Sequence, residues 1–230
     1  MIAISKYLED HFLRRGVKKC VRIPIVVSEQ DFCEKKELKP NAVTFTYAGQ
    51  PGRKDYLRMI VDAFADLHAK ELEKVRVNII GCTEEQLYIN DKDTVIPDKL
   101  KGRMTFHGYI PHDSVLRILE ETDFTVLMRD PTKRYAKAGF PTKMVESLSR
   151  STPIICNLSS DMGDYLKDGE NALIVEDCDL QSLERQIRRA IEMSYEDRVA
   201  MAQKALQSAR ESFDMLQYLS KVEEILGEQD

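Results

Sequence analysis

The chain has 230 residues, 43% of them hydrophobic and 32% charged, with a formal net charge of −5. That is enough apolar mass for one sizeable core without disulfide or metal staples, and a mildly acidic chain has no overall field to draw in nucleic acid. No apolar run approaches the roughly 20 residues of a membrane span, the start MIAISKYLED lacks a signal peptide's basic start and apolar stretch, and five scattered cysteines read as reduced thiols of a cytoplasmic protein.

Residues 1–25 predict a short strand at 2–4, a helix at 5–15 and a second strand at 21–25. The polar stretch SEQDFCEKKELKPNA that follows has the make-up of a linker between domains. Short β-branched runs then fall at 43–47, 75–80, 104–106, 124–128, 153–157 and 172–175, separated by amphipathic stretches that include 54–69, 112–121, 142–149 and 180–193. Most of these runs are apolar throughout, as in strands covered on both faces. Strand and helix alternating in this way predict an α/β fold with a doubly wound parallel sheet. Two charged helical segments, 195–213 and 215–227, broken near Asp214, close the chain as surface or bridging helices.

In an open parallel sheet, ligands bind in the loops beyond the carboxyl ends of the strands. The first such loop is Tyr47-Ala48-Gly49-Gln50-Pro51-Gly52-Arg53-Lys54. Its glycines permit close approach of a ligand. Arg53 and Lys54 are expected at a helix N-terminus, where cations oppose the dipole unless an anion completes the site. An ordinary turn with solvated basic residues is the alternative. The second loop, Ala138-Gly139-Phe140-Pro141-Thr142, opens a helix at Pro141. Thr142 and Glu146, four apart, share a face, while Met144, Val145 and Leu148 turn to the core. Glu146 then either accepts hydrogen bonds from a vicinal diol such as ribose or is a solvated glutamate. The third loop, Phe106-His107-Gly108-Tyr109, offers His107 either as a donor to substrate or as a structural histidine. Arg129-Asp130 and Ser159-Ser160-Asp161 end strands on the same side. The histidines show no metal-ligand spacing, and no Gly-x-Ser-x-Gly elbow is present.

Taken in order, VTFTYAGQPGRKDYLRMIVDAF, VNIIG, MTFHGYIPHDSVLRILEETDFTVL, AGFPTKMVESLSRSTPIICN and DYLKDGENALIV resemble the group 1 glycosyltransferases, a retaining family of the GT-B fold, over about residues 41–191. The resemblance implies a Rossmann-like sheet forming the C-terminal, donor-binding half of a two-domain enzyme. It assigns 1–41 to the tail of an N-terminal acceptor domain plus linker, 42–212 to the nucleotide-sugar-binding domain and 213–230 to a bridging helix. Lys54 with Arg53 becomes the catalytic cation pair on the donor diphosphate. Gly49 and Gln50 line that loop, backbone groups near Gly139, Phe140, Pro141 and Thr142 cradle phosphate and sugar hydroxyls, Glu146 binds ribose, and His107 and Tyr109 lie where the base is held.

The donor is then a nucleotide-diphosphate sugar acting without metal or other cofactor, and the acceptor a glycan or a lipid-linked glycan in polysaccharide or glycoconjugate assembly. Ala138 stands where the family carries the first glutamate of its Glu-x-seven-Glu motif, and Gln50 where many members have arginine. About half of a typical member is missing. Ile2, Leu8 and Phe12 are therefore expected either to stay exposed or to pack on this domain, a second copy or a partner chain, and the chain alone to bind nucleotide but transfer weakly. A split enzyme with a separate acceptor-domain chain, or a non-catalytic nucleotide-sugar-binding module, remain as alternatives.

Overall fold

A computed structural model describes residues 1–50, 54–90 and 96–227. In chain order the elements are β1 (Ile2–Ala3), α1 (Lys6–Arg14), β2 (Val21–Arg22), β3 (Val43–Ala48), α2 (Leu57–Ala65), α3 (Ala69–Glu73), β4 (Val75–Ile80), α4 (Glu84–Asn90), β5 (Met104–Gly108), α5 (His112–Glu120), β6 (Phe124–Leu127), α6 (Arg134–Ala138), α7 (Thr142–Ser149), β7 (Ile154–Asn157), β8 (Ala172–Val175), α8 (Leu180–Glu192), α9 (Tyr195–Phe213) and, after a 3-10 turn at Met215–Tyr218, α10 (Leu219–Leu226). Strands β3 to β8 form one all-parallel sheet in the order β5-β4-β3-β6-β7-β8. The chain winds outward from β3 to β5, returns beside β3 as β6, and winds outward the other way. The adjacent strands β3 and β6 therefore flank the topological switch point, where a ligand crevice opens at the carboxyl ends.

Each face of the sheet has its own core. On one, Phe45 and Phe124 of the sheet meet Phe64 of α2 together with Leu183 and Ile187 of α8, with Phe45 and Phe64 edge to face at 5.1 Å. On the other, Leu127 and Ile154 are covered by Met144 and Leu148 of α7 and by Ala205, Ala209 and Phe213 of α9. The α9 trio repeats every fourth residue, so the two alanines let the helix lie close and Phe213 fills the end. Fully burying a side chain such as Phe213 contributes about 1.5–3 kcal/mol. Helices α8 and α9 begin where Asp179 and Ser194 accept from the backbone N–H groups of Ser182 and Asp197, at 2.7 and 3.0 Å.

Several boundaries differ from the sequence expectation for identifiable reasons. The stretch 54–69 is not one helix from Lys54. It begins at Leu57, because the chain before it is tied to the end of β6, with Asp55 bridged to Arg129 and the Tyr56 N–H on the Met128 carbonyl at 3.0 Å. Strand β2 stops at Arg22, since Pro24 has no N–H to continue the ladder. The expected linker is firmly held, with Phe32 and Leu38 buried. The Arg198 guanidinium donates to the carbonyls of Lys39, Pro40 and Ala42 at 3.0–3.2 Å. Segment and tail also meet, as Val27 exchanges backbone hydrogen bonds with Phe213 and Met215.

Strands β1 and β2 make a separate two-stranded parallel ribbon spanned by α1. Ile2, Ile4 and Leu13 there are 39–48% exposed, and Leu8 and Phe12 are half-buried. Among the described residues no helix is long and apolar enough to cross a membrane.

Candidate functional site

The crevice at the switch point is organised by one buried carboxylate. Asp55, between Lys54 and α2, accepts from the Tyr47 hydroxyl at 2.9 Å and from Arg129 Nε at 2.8 Å, and also holds the Lys143 ammonium. These four side chains come from β3, the β3–α2 loop, the end of β6 and the first turn of α7. Lys143 also sits over the Tyr47 ring, 4.8 Å from its centroid. Burial alone would raise the Asp55 carboxyl, but Lys143 and Arg129 outweigh it and hold the group below its ordinary value. Burial in turn pushes the Lys143 ammonium down against the pull of Asp55. Two cations share one anion, so the cluster carries a net positive charge fixed beside the N-terminus of α7, itself a positive dipole end.

Glycines make the approach possible. A Cβ on Gly49 would lie 1.8 Å from Lys143 Nζ, so any side chain there would evict the ammonium from its place. Gly81, at φ +100 after β4, leaves room for the Gly49 carbonyl, which a Cβ would meet at 2.3 Å.

Of the sequence-predicted residues, Gly49, Lys54 and Thr142 adjoin this cluster. Lys54 is exposed, its ammonium 5.7 Å from the Tyr135 ring, while the Tyr135 hydroxyl donates to the Lys54 carbonyl at 3.3 Å. It lies three residues ahead of α2, not in its first turn, whereas Lys143 lies in the first turn of α7. Gln50 is exposed just after β3, and Arg53 lies outside the described residues. Gly139 ends α6, and its N–H is taken by the Tyr135 carbonyl at 3.0 Å. Phe140 is a buried anchor, edge-on to Tyr165 at 5.5 Å and to Phe213 at 6.0 Å, so its side chain faces the core. Pro141 precedes α7. The N–H groups of Thr142 and Lys143 open the helix, where no intrahelical acceptor exists.

Thr142 is exposed and Glu146 half-buried on the same face, as their spacing predicts. Glu146 Oε1 is 3.3 Å from Nε2 of His112, the first residue of α5. His107 is the extra residue of a bulge between β4 and β5 and lies 2.9 Å from Asn78 Oδ1, where burial lowers its pKa. Tyr109, just after β5, is 65% exposed.

Asp55, Tyr47 and Lys143 were not singled out from the sequence, and Arg129 appeared only as a polar strand end. One signal was available. A tyrosine inside a buried strand needs a partner for its hydroxyl, which points to a buried acceptor close by.

The sequence profile of the family described as "Glycosyl transferases group 1" matches residues 28–208, well over half of the chain. The chain belongs to this family. Its fold is that of the C-terminal half of GT-B transferases, as solved structures show. HepE (Alr3699) of Anabaena, solved with UDP and glucose, superposes with a TM-score of 0.74 at 16% identity, over 99% of this chain and 62% of its own. Sucrose-phosphate synthase of Thermosynechococcus elongatus gives 0.77 at 17%, over 98% and 57%. The pneumococcal O-GlcNAc transferase GtfA, solved with UDP and GlcNAc, gives 0.71 at 16%, over 100% and 45%. The chain thus spans about three-fifths or less of the length of these transferases. No curated protein matches it in sequence.

Proposed function

We propose that the crevice between the β3 and β6 loops binds a nucleotide-diphosphate sugar, and that this domain supplies the donor half of a retaining, metal-independent glycosyl transfer to a glycan or lipid-linked acceptor. The observation that carries the reading is the Asp55 cluster, in which Arg129 and Lys143 share a single carboxylate at the opening of α7. Its surplus positive charge suits a diphosphate, and a leaving diphosphate gains negative charge in the transition state. Fixed cations and helix amides stabilise that charge without reorganising.

In this reading Lys54 and Arg53 approach the diphosphate from the β3 loop, beside Gly49 and Gln50. The Phe140–Thr142 backbone meets phosphate and sugar hydroxyls, with Gly139 shaping the turn and Lys143 added to the set. Glu146 receives the ribose hydroxyls once His112 is displaced, and Tyr109, with His107 fixed behind it, borders the base. The relatives solved with UDP favour uridine as that base.

A second chain or domain as acceptor half is favoured by the β1–β2 ribbon. Parallel strands normally have both faces covered, yet Ile2 is 48% and Ile4 39% exposed.

Titration calorimetry with UDP, GDP and ADP tests the reading. One diphosphate should bind selectively, and the exposed Lys54→Ala should bind it about fivefold more weakly, near 1 kcal/mol. Sugar transfer should appear only when an acceptor domain is added. No binding of any nucleoside diphosphate would sink the proposal.

A further inference from the structure

The N-terminal ribbon lies outside the stretch matched by the family profile, which begins at residue 28. It is nevertheless fastened to the rim of the crevice. Ser5 is fully buried although its neighbours Ile4 and Lys6 are exposed. Its hydroxyl donates to the Ala138 carbonyl at 2.8 Å and accepts from the Leu8 N–H at 3.3 Å, capping α1. Asp161, on the loop after β7, accepts from the Lys6 N–H at 2.8 Å and pairs with Arg22 at 2.9 Å. Arg22 reaches Asp164 as well, at 3.0 Å. Beside Asp161, Ser160 sits at φ 51, a left-handed conformation that a serine keeps only where its surroundings enforce it.

The Ser5 contact matters because of which peptide it grips. The Ala138 carbonyl and the Gly139 N–H are the two ends of one planar peptide unit. Ser5 holds the carbonyl end, and the Tyr135 carbonyl accepts from the amide end at 3.0 Å. With both ends bonded the plane cannot rotate, and the direction in which the chain enters Phe140, Pro141 and α7 is set.

We propose that Ser5 and Asp161 are positioning residues of the donor site, through which the N-terminal ribbon fixes the α6–α7 turn and thereby the Thr142 and Lys143 amides and the Lys143 side chain that meet the diphosphate. This rests on the donor-site reading given above. It differs from a purely structural tether in what it moves: losing the Ser5 hydroxyl alters affinity and local amide exchange together, at a residue that touches no ligand.

The test uses the full chain and UDP as probe. Ser5→Ala should bind UDP about tenfold more weakly, the scale of one lost hydrogen bond. Backbone amides of residues 139–143 in the ligand-free variant should exchange faster than in the parent, while those of β3 and α8 should not. Arg22→Ala, which removes only a partly exposed tether, should give a smaller loss, about threefold, and serves if Ser5→Ala does not fold. A folded variant with parental UDP affinity and parental exchange at 139–143 overturns the proposal. Should the parent chain bind none of UDP, GDP and ADP, the donor-site reading falls. The positioning role is then decided by exchange alone, and unchanged exchange in Ser5→Ala sinks it.

Discussion

The sheet carries a buried ion cluster at each end, and the two are built on opposite plans. At the amino end, Asp123 pairs with Arg198, both nearly inaccessible. The Asp123 carboxylate also accepts from the Thr44 N–H at 2.8 Å, and Arg198 spends its terminal nitrogens on three linker carbonyls. Charge within that pair balances, and every contact joins segments remote in sequence. At the carboxyl end, Asp55 faces two cations, and the Lys143 and Arg129 side chains keep 23% and 20% of their surface open. Charge there does not balance and solvent reaches it. A closed, neutral cluster holds the fold together, whereas an open cluster with excess charge is suited to receiving an ion.

The comparison breaks most visibly at the amino end. Arg198→Ala leaves Asp123 buried without its counter-ion, which costs about 3–5 kcal/mol. Burial already raises the Asp123 carboxyl, so the lone acid should become protonated in the variant. Urea unfolding measures the loss, and UDP affinity in the folded fraction should not change. A change in affinity would mean that the two ends do not act separately.

At the carboxyl end the pattern should invert. Lys143→Ala leaves Asp55 with Arg129 and Tyr47, so stability should drop by less than about 1 kcal/mol. UDP affinity should fall by about 2 kcal/mol, near thirtyfold, if the ammonium meets a partly desolvated phosphate. Gly49→Ala provides an internal check, because its Cβ would occupy the Lys143 Nζ position. The double variant should then be no weaker than the poorer single one, and losses that add would show that Gly49 acts independently.

The two ends also differ in how plainly the sequence announces them. The runs 153–157 and 172–175 fall on β7 and β8, because strands covered on both faces are largely apolar, whereas β4 over 75–80 carries an exposed Arg76 and a half-buried Asn78. Thr142–Ser149 was recognisable as a helix from its spacing, and with it the shared face of Thr142 and Glu146. The Asp55 cluster was hidden, because its members at 47, 55, 129 and 143 meet only once the chain has crossed from β5 back to β6. Asp55 also marks a change in local structure, since its bridge and side-chain bonds to Arg129 tie the chain to the end of β6 and α2 begins only at Leu57. Arg198 was equally silent, reading as one more charge on a surface helix.

The smallest expected effect lies beside the closed cluster and depends on pH. Lys35 donates to the Leu119 carbonyl at 2.9 Å and to Thr152 Oγ1 at 2.5 Å. Burial pushes its ammonium down to about 7, against the pull of Asp123 and Glu120. Below pH 7 folded and unfolded chains both hold the proton, and the cost of burying the charge is present in full. Between pH 7 and about 10.5 the unfolded chain binds more protons than the folded one, so stability rises with pH. With solvent screening allowed for, the gain from pH 7 to 9 should be about 1 kcal/mol. Lys35→Met should flatten that rise in urea unfolding across the same range. A parent and variant with parallel pH profiles would show that Lys35 stays charged in the folded chain, and that the amino end tolerates an ion it does not fully neutralise.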